Sequence, residues 1–516
     1  MSRLTLSDDT LPATTIPEFY AGQDVFVTGA TGFVGKIVVE KLLWSCPRIG
    51  NIYMLVRHRR GVKPKERLKE FTQHVLFERL RKNRPDDLEK LNIIEGDQME
   101  LGLGISSDDR QLLKKRVSVV IHAAASVRFD DPVSKAIICN TRGTREMVHL
   151  AMEMEKLKVF VYVSTAYSNT EHAYIEEKVY DPPADWRTMI SAAENLDSFQ
   201  LDVVTKKLIG MKPNSYIFSK ALAEAVINNY KDRLPAVIFR PSVVVATAEE
   251  PIPGYSDNFN GPVGLEAANF TGIALVNLVD PDVVTNYIPA DITARGIIIS
   301  SWRRTHLLSQ LLPVYNCCVQ DITPRLTYHT FRDMGLSVQR EIPFSAIYYP
   351  LKIPTKSMLL FYSCFYLLQL PLAALYDIIL PLTGRSISLV KVQRKFFNAI
   401  LTLKFFTHNE RNFSVTSFNE LEKSLHPSDV EDFEFKITKI DPYEFLRNSA
   451  KGVRTFLLKE TTTLEQNARL QKILYYVHIF LCLTVSWLLY WFCSSYSIPQ
   501  RLMSLVFFVI RKIFII

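Results

Sequence analysis

Two side chains that could act together as an acid and a cation stand four residues apart, at Tyr216 and Lys220 in the sequence YIFSK. On a helix this spacing places both side chains on one face. A nearby ammonium group favours the ionised phenol, so we expect the pKa of Tyr216 to lie below its usual value of about 10. Such a tyrosine can act as a general acid at neutral pH.

Hydroxyl side chains precede this pair in the sequence VYVSTAY, where Ser164 and Thr165 follow an apolar stretch typical of a strand. A hydroxyl at a strand end can hold a substrate carbonyl against the tyrosine while the carbonyl is reduced. Thr165 is the first candidate and Ser164 the second. Because a Tyr-x-x-x-Lys spacing is common by chance, the assignment depends on the combination of hydroxyl, phenol and ammonium.

A second chemical signal is the sequence VFVTGATGFVG, in which Gly29, Gly32 and Gly35 recur at intervals of three. The preceding apolar residues predict a strand, and the residues from Gly35 onward predict a helix. Gly29 and Gly32 permit a tight turn that approaches a pyrophosphate, and Gly35 permits close packing of helix on sheet. Since the helix N-terminus also stabilises phosphate charge, the sequence predicts a dinucleotide-binding turn.

The type of dinucleotide is indicated by the end of the second predicted strand, in NIYMLVRHRR. Arg57 stands where an acidic residue would bind the ribose of NAD. A guanidinium favours the 2′-phosphate of NADPH through charge-assisted hydrogen bonds, so we predict NADPH as the cofactor. Arg59 and Arg60 follow it, and the alternative for all three is a solvated basic loop.

Two further strand ends complete the predicted cofactor site. Asp97, in IIEGDQ, is placed to accept a hydrogen bond from the adenine amino group, with an ordinary turn aspartate as the alternative. In HAAA, the small residues Ala123 and Ala124 follow the fourth predicted strand and let a nicotinamide ribose lie close.

Six short apolar stretches between residues 24 and 245 must position these groups, and they alternate with stretches of helical spacing. Each is nearly continuous in apolar residues, as expected for parallel strands covered on both faces. The predicted fold is α/β: a doubly wound parallel Rossmann sheet with a smaller, mostly helical C-terminal domain and a C-terminal transmembrane helix. The six stretches are DVFVTGA, NIYMLVR, LNIIEGD, VSVVIHAAA, KVFVYVST and PAVIFRPS.

Length and composition indicate several domains and a reducing compartment. A chain of 516 residues is too long for one core, and we expect a flexible segment at 1–20, an NADPH-binding reductase domain at 21–350 and a helical domain at 351–460. The seven scattered cysteines contain no CxxC pair, so neither a disulfide framework nor a metal site is expected. The net charge of +8 suits an anionic ligand or a membrane surface but by itself predicts neither, and we expect no nucleic-acid partner.

Residues 473–493 form an uncharged stretch that is long enough to span a bilayer as a helix. Aromatic residues near its ends, such as Tyr475 and Trp491, suit membrane interfaces. Because the sequence shows no secretory signal, we predict a single-pass tail anchor with the catalytic domain facing the cytosol, in the peroxisomal or endoplasmic reticulum membrane. Arg511 and Lys512 slightly favour the peroxisome. The alternative is a buried hairpin helix.

A second apolar stretch, residues 357–376, is interrupted by Gln369 and Pro371. A core helix or a helix resting on a surface is favoured here over a re-entrant membrane segment.

Taken together, TGATGFVGK, LVR, VSTAY, YIFSK, RPS and DNFNGP resemble the alcohol-forming fatty acyl-CoA reductases of the extended short-chain dehydrogenase/reductase superfamily. The resemblance covers nearly the whole chain, including LYDIILPLTGR, which is similar to the family's second domain, formerly named for male sterility. It implies NADPH-dependent reduction of a long-chain acyl-CoA to a primary fatty alcohol through an aldehyde, with release of CoA. Membrane lipid is then an expected partner, because substrate and product both partition into it.

The resemblance also assigns roles to residues. Asn140, in CNTRGT, matches the asparagine that helps to hold the active-site water and lysine, with a helix cap as the alternative. Pro241 and Ser242 match the turn beside the nicotinamide. The predicted catalytic residues are therefore Thr165, Tyr216, Lys220, Ser164 and Asn140. The predicted cofactor-binding residues are Thr28, Gly29, Thr31, Gly32, Phe33, Gly35, Arg57, Asp97, Ala123, Ala124, Lys220, Pro241 and Ser242.

Two features depart from the family pattern. YNCCVQ replaces a more polar turn, which puts a substrate contact there in doubt. Thr165 and Tyr216 are 51 positions apart, more than in compact members of the superfamily. Two alternatives are open for this insert: it forms part of a lid over the acyl chain or CoA, or it is a structural elaboration away from the site. Two are also open for DNFNGP, which either contacts the substrate or is only a loop.

The implied mechanism needs no covalent cysteine, and an acyl-enzyme at Cys139 is not expected. Hydride reaches the thioester carbonyl, Thr165 and Tyr216 stabilise the oxyanion, and the hemithioacetal expels CoA thiolate before a second NADPH reduces the aldehyde. Two other interpretations are a membrane-bound hydroxysteroid or sterol dehydrogenase and a non-catalytic NADPH-binding scaffold. The intact acid–base set argues against the scaffold. The sequence makes no prediction of the oligomeric state.

Overall fold

The computed structural model describes residues 14–209, 212–307, 311–320, 325–379 and 388–495. The strands of this part of the chain are β1 Asp24–Thr28, β2 Ile52–Val56, β3 Leu91–Glu95, β4 Val117–His122, β5 Val159–Val163, β6 Tyr174–Ile175, β7 Ala236–Pro241, β8 Val243–Val245, β9 Val276–Leu278, β10 Tyr287–Pro289, β11 Val314–Cys317, β12 Ile353–Thr355 and β13 Asn412–Phe413.

The α-helices are α1 Ile16–Tyr20, α2 Phe33–Ser45, α3 Pro64–Thr72, α4 Glu78–Asn83, α5 Ser107–Arg116, α6 Val133–Ala136, α7 Gly143–Met152, α8 Trp186–Asn195, α9 Ser198–Ile209, α10 Ser215–Asn229, α11 Pro262–Phe270, α12 Ala290–Arg304, α13 Tyr328–Glu341, α14 Met358–Cys364, α15 Leu370–Ile379, α16 Leu389–His408, α17 Thr416–Lys423, α18 Val430–Phe433, α19 Pro442–Gly452 and α20 Leu464–Ser495. Turns of π-helix at Ile137–Arg142 and Phe365–Gln369 join α6 to α7 and α14 to α15.

The central sheet has seven parallel strands in the order β11-β7-β5-β4-β1-β2-β3. All six predicted strands belong to it, which confirms the doubly wound α/β prediction. Sequence analysis missed the seventh: Val314–Cys317 of the stretch VYNCCVQ was treated as a turn, but it pairs with β7 at the sheet edge. Its four residues are buried. A strand of only four residues is too short to be recognised by its hydrophobicity in the sequence.

Alternate residues of the strands face helices on opposite sides of the sheet. Phe160, Tyr162 and Ile238 belong to one buried cluster with residues of α7 and α10. Phe239, which follows Ile238 and points the other way, lies directly against Gly296 of α12. Coverage on both faces explains why these strands are continuous apolar runs.

The strand order reverses between β1 and β4, which pair in register with Thr28 opposite His122. Connections on the two sides of this point run in opposite directions, so a crevice opens beyond the carboxyl ends of these strands. The glycine turn after β1 and the HAAA sequence after β4 both lie at this crevice.

The chain divides into two compact units, each assembled from three segments. The first comprises residues 1–255, 286–325 and 410–445, and the second comprises 256–285, 326–409 and 446–516. The predicted domains at 21–350 and 351–460 are contiguous, whereas the chain returns twice to the first unit, where β11 extends the central sheet and β13 pairs with β6.

The N-terminal boundary also differs from the prediction of a flexible segment at 1–20, of which 1–13 lie outside the described residues. Residues 16–20 form α1, which begins with a capping box at Thr15 and Glu18. Its Tyr20 is fully buried and its hydroxyl contacts Ser301 of α12.

The second unit is mostly helical and contains a buried apolar cluster. The cluster combines β9 and β12, which pair in parallel, with residues of α14 and α16 such as Phe361 and Ile400. Within the described residues, two helical stretches of this unit are long and apolar enough to cross a membrane, Met358–Ile378 and Leu464–Leu488. The second lies in α20, which contains the predicted span 473–493.

Candidate active site

The turn after β1 has the close backbone approach that its glycines predict. Gly29 has a φ of +74°, and a Cβ atom there would lie 2.7 Å from the Ala124 nitrogen. A Cβ atom on Gly35 would lie 2.1 Å from the Gly29 carbonyl oxygen. Gly32 caps the N-terminus of α2 in an extended conformation, without a side chain. The turn therefore presents bare backbone and the start of a helix, which fits a pyrophosphate.

A chain of hydrogen bonds with a defined donor and acceptor at each step joins the strand ends that border the crevice. The Thr144 hydroxyl donates to the Asn140 carbonyl at 2.6 Å, so it must accept from Nε2 of His122 at 3.1 Å. Burial lowers the pKa of His122 to about 3, so its Nδ1 is unprotonated and accepts from the Thr28 hydroxyl at 2.7 Å. Thr28 also accepts from the Ala124 amide at 3.2 Å. Thr28 thus joins the ends of β1 and β4 rather than facing solvent.

Asn140 lies inside the π-helical turn Ile137–Arg142, so the cap alternative is wrong. Its side-chain oxygen accepts from the Ser126 amide at 2.8 Å. Its amide nitrogen donates to the Ser126 carbonyl at 3.1 Å and to the Ser219 hydroxyl at 2.9 Å. Asn140 therefore fixes the loop after β4 to helix α10.

Helix α10 places Tyr216 in its first turn, because the Asn214 side chain caps it by accepting from the Ile217 amide at 2.9 Å. The Thr165 side chain lies close enough to the Tyr216 phenol to lower its pKa. The phenol ring packs on Phe129, with centroids 5.7 Å apart. Burial raises the pKa of Tyr216 above its usual value, and the opposing effect of Thr165 only partly offsets this.

The expected lowering of the Tyr216 pKa, which relied on Lys220 and on the positive charge of a bound nicotinamide, is therefore not found for the protein on its own. Lys220 is four residues further along α10, as predicted, but its ammonium donates to the Val163 carbonyl at 2.7 Å. It also lies 4.7 Å from the centre of the Tyr162 ring. Burial lowers the pKa of Lys220 to about 8, against the opposing effects of Glu224 and Cys139.

The two candidate hydroxyls after β5 have different partners. Ser164 donates to Oε1 of the buried Glu224 at 2.5 Å. Thr165 caps the short helical turn Ala166–Asn169 and contacts Tyr216. Ser164 is therefore turned toward the interior and Thr165 toward Tyr216, and the choice of Thr165 as the substrate-binding hydroxyl stays a prediction.

Glu224 is the residue that sequence analysis missed. It accepts from Ser164, from Ser168 at 3.0 Å and from two nitrogens of Arg240 at 2.8 and 2.6 Å. Burial opposes its ionisation, but Arg240 and the serine hydroxyls hold the pKa of Glu224 below its usual value. Its position four residues after Lys220 is the signal that would have found it, since Tyr216, Lys220 and Glu224 share one face of α10.

The other predicted cofactor residues lie at the same edge of the sheet. Arg57 directly follows β2 and is exposed. Arg59 faces Glu70 at 3.7 Å. Asp97 uses Oδ1 to accept from the Met99 amide at 3.0 Å, which is the ordinary turn role that the sequence left open. A role in binding adenine stays a prediction.

Beyond these, Thr31 is exposed at the glycine turn, and Phe33 opens helix α2 with its ring 6.1 Å from that of Tyr255. Pro241 ends β7, and the Ser242 amide donates to the Cys317 carbonyl of β11 at 3.0 Å. Ala123, like Ala124, follows β4, and its amide donates to the Thr28 carbonyl at 3.2 Å.

The insert between Thr165 and Tyr216 divides into two helices of different character. In α8, Trp186 and Ile190 belong to the same buried cluster as residues of α10, which makes this helix part of the core. In α9, Phe199 and Val203 are exposed. A covering role for the insert stays a prediction.

Comparisons with known proteins agree with this geometry. Residues 27–297 match an NAD-binding model described as male sterility protein, and residues 368–460 match a second model, Sterile, with the same description. Fatty acyl-CoA reductase 1 of Xenopus laevis is 36% identical over 450 residues, which cover 86% of each chain. That of Mus musculus is 35% identical with the same coverage, and fatty acyl-CoA reductase wat of Drosophila melanogaster is 32% identical over 86% of this chain and 85% of its own.

The chain belongs to the fatty acyl-CoA reductase family. Residues 27–297 form the NAD-binding domain of this family, and they include the glycine turn after β1.

Solved structures show the same fold. The terminal R domain from the myxalamid PKS-NRPS biosynthetic pathway superposes with a TM-score of 0.57 at 18% identity, over 87% of this chain and 95% of that one. The reductase (R) domain of a nonribosomal peptide synthetase from Mycobacterium tuberculosis gives 0.56 at 17% identity, over 86% and 93%. At such identities the likeness concerns architecture alone.

A glycine comparison tests the close approach at the turn. Gly22 has a φ of +68° with nothing within 4 Å of its Cβ position, whereas a Cβ on Gly29 meets the Ala124 backbone. Both Gly22→Ala and Gly29→Ala carry the strain of a positive φ, of about 1 kcal/mol. We expect only Gly29→Ala to lose binding of a reduced nicotinamide dinucleotide, measured by the nucleotide's fluorescence. Equal binding by the two variants would show that the approach has no role in the site.

A double-mutant cycle tests the Glu224–Arg240 pair behind the hydroxyls. Glu224→Gln or Arg240→Met alone leaves a buried charge unpaired and should destabilise the protein by about 3 kcal/mol or more. The double variant should lose clearly less than the sum, measured by urea unfolding. Glu78→Gln, in an exposed pair with Lys82, is the control and should leave the stability almost unchanged. Additive losses would contradict the pairing.

Proposed function

We propose that this protein reduces long-chain fatty acyl-CoA to a primary fatty alcohol with NADPH, through an aldehyde and with release of CoA. The observation that carries the proposal is the approach of Thr165, which follows β5, to the Tyr216 phenol at the carboxyl edge of a dinucleotide-binding sheet. Membership of the fatty acyl-CoA reductase family supports the choice of substrate.

Tyr216 is the proposed acid. Because burial raises its pKa, the phenol keeps its proton at neutral pH and can donate it to an oxygen that gains negative charge. Thr165, whose side chain lies beside the phenol, donates a second hydrogen bond to the same oxygen. Two donors set in a buried site stabilise the oxyanion of a tetrahedral intermediate without reorganisation.

Lys220 is the proposed electrostatic partner. With a pKa of about 8 it is mostly protonated at neutral pH, and its position one helical turn from Tyr216 lets it favour loss of the phenolic proton. Its bond to the Val163 carbonyl holds the ammonium beneath the strand end that carries Thr165.

The reduced nicotinamide, when bound, supplies the hydride. The residues of the chain then act twice on the substrate oxygen. In the first reduction they stabilise the hemithioacetal oxyanion until its collapse to the aldehyde expels CoA thiolate; in the second, Tyr216 protonates the alkoxide that becomes the alcohol. The buried Cys139 accepts a hydrogen bond from Gln98 at 2.8 Å and has no place in either step.

Arg57 supports the choice of NADPH. It is an exposed guanidinium at the end of β2, where an acidic side chain would select NAD. We infer that it binds the 2′-phosphate of the adenosine ribose.

We also infer that α20 anchors the chain in a membrane, with the preceding residues in the cytosol. The helix has 32 residues and would be about 48 Å long, more than the hydrocarbon core of a bilayer. Exposed apolar side chains such as Phe480 and Trp487 occupy its apolar part. An anchored enzyme meets acyl chains where they partition. Arg511 and Lys512, which favour the peroxisome in sequence, lie outside the described residues.

The reaction is tested by incubating the purified protein with palmitoyl-CoA and NADPH and analysing the product. Fatty alcohol is expected. Tyr216→Phe should keep NADPH binding while kcat falls by about 10²- to 10⁴-fold, because the ring remains and the acid is lost. Tyr230→Phe, at the far end of α10, is the control and should retain activity. Absence of NADPH oxidation by the unchanged protein would overturn the proposal, and an active Tyr216→Phe would overturn the assignment of the acid.

The cofactor choice is tested by reversing one charge. Arg57→Glu should raise the KM for NADPH by about 10- to 100-fold, because a charge-assisted hydrogen bond is replaced by repulsion. Its KM for NADH should fall. Arg60→Glu changes the net charge of the same exposed loop equally and should leave the preference unchanged. If both variants shift the KM alike, the effect belongs to the basic loop as a whole.

A further inference from the structure

Helices α14 and α15 and the π-helical turn between them form one continuous helix in the second unit. No Asp, Glu, Lys or Arg occurs from Met358 to Tyr376. One face is buried, with Phe361 and Phe365 in contact with the interior. A helix that is apolar on every side is normally buried on every side or surrounded by lipid.

The opposite face of this helix is exposed and equally apolar. Leu359, Leu367, Leu375 and Ile378 recur at helical intervals and form what we call the outer stripe. Leu367 is 80% exposed and Leu359 78% exposed. Four large aliphatic side chains in one line are too many for chance exposure on a water-facing helix.

The inner face is fixed to the protein by a buried amide. Gln369, which is 1% exposed, accepts from the amides of Leu275 and Val276, each at 2.9 Å. Its nitrogen donates to Gln393 of α16 at 3.3 Å, and Gln393 donates to the Ile273 carbonyl at 2.7 Å. Gln369 therefore holds the helix on the start of β9.

This attachment is incompatible with a helix that crosses a bilayer. The inner face packs on β9 and β12, a two-stranded sheet in the described structure. If the helix spanned the membrane, this sheet would enter the bilayer with it. The unpaired backbone groups at the edges of the sheet would then meet hydrocarbon without hydrogen-bond partners. One face of the helix must stay on the protein, and only the outer stripe is available to lipid.

Basic residues accompany the helix at one end. Asp377 accepts from the amides of Leu389 and Val390 at 2.6 and 3.1 Å, so the end of α15 lies against the start of α16. Exposed cations follow within two turns at Lys391, Arg394 and Lys395. An apolar stripe bordered by cations is the pattern of a helix that lies in the headgroup region of a membrane.

The proposed anchor belongs to the same unit and is attached in the same manner. Asn467 and Gln471 of α20 donate to the carbonyls of Pro343 and Phe344, at 3.1 and 3.0 Å. Further along, His478 is hydrogen-bonded to the Tyr348 hydroxyl at 3.0 Å, and Tyr348 belongs to the same buried cluster as Phe361. The unit that carries the outer stripe is thus held to the anchor itself.

We propose that helix α14–α15 is a second membrane contact, which lies along one leaflet with the outer stripe among the acyl chains. Lys391, Arg394 and Lys395 reach the lipid phosphates, and Gln369 prevents the helix from crossing. The contact rests on the proposed anchoring by α20 but not on the reductase activity. It would keep the second unit against the lipid in which the substrate and product partition.

The test uses the full chain inserted from outside into sealed microsomes. Leu367→Cys is labelled with a polarity-sensitive fluorescent maleimide, and lipids spin-labelled near the headgroup end of the acyl chain are added as quenchers. Ser337→Cys, exposed on the polar face of α13, is the matched control, and labelling of the unchanged chain gives the background. We expect the label at residue 367 to be quenched at least about threefold more than the label at residue 337.

The orientation is measured in the same preparation with a membrane-impermeant maleimide. Lys356→Cys lies just before the helix, and Lys391→Cys lies in the first turn of α16, against which the other end of the helix packs. Both should react from outside without detergent. Reaction of one end only after permeabilisation would show a spanning helix and overturn the proposal. Equal quenching at 367 and 337 would overturn it too, by showing that water or protein covers the outer stripe. Neither readout depends on turnover, so loss of the alcohol product alone would contradict only the proposed function.

Discussion

The parallel pairing of β1 with β4 is the constraint on which the site depends. It sets Thr28 opposite His122, and the turn after β1 then meets the backbone after β4 so closely that only glycine fits at position 29. The same register, continued through β5, brings Thr165 to the crevice. A single helix, α10, adds the phenol and the ammonium. The chemistry is therefore assembled by strand ends, as in other doubly wound sheets.

Behind the carboxyl edge of the sheet lies a pair of charged side chains that are shielded from solvent. Glu224 and Arg240 are both buried and joined by two hydrogen bonds, and Glu224 also holds Ser164 and Ser168. A pair of this kind adds little net stability, but loss of one member leaves a costly unpaired charge. Its geometric effect is selective: one of two adjacent hydroxyls is turned inward, and Thr165 alone contacts Tyr216.

The second unit solves a different physical problem. Its helices carry more apolar surface than its interior can bury, and two buried amides and a histidine fix the helices that expose it. Polar contacts on the inner face and apolar side chains on the outer face give a unit suited to the boundary of a membrane. An enzyme whose substrate and product are lipids gains from such a position.

The sequence by itself determined the strands, the glycine turn and the Tyr216–Lys220 pair, because continuous apolar runs, glycine spacing and a four-residue interval are local properties. It did not reveal β11, whose four residues become a strand only by pairing with β7. Nor did it reveal the burial that raises the pKa of Tyr216 in the protein on its own, since burial and the partner of Lys220 depend on distant segments. The different partners of Ser164 and Thr165 and the attachment of helix α14–α15 likewise depend on tertiary contacts. Such contacts join residues far apart in the chain, and no local pattern encodes them.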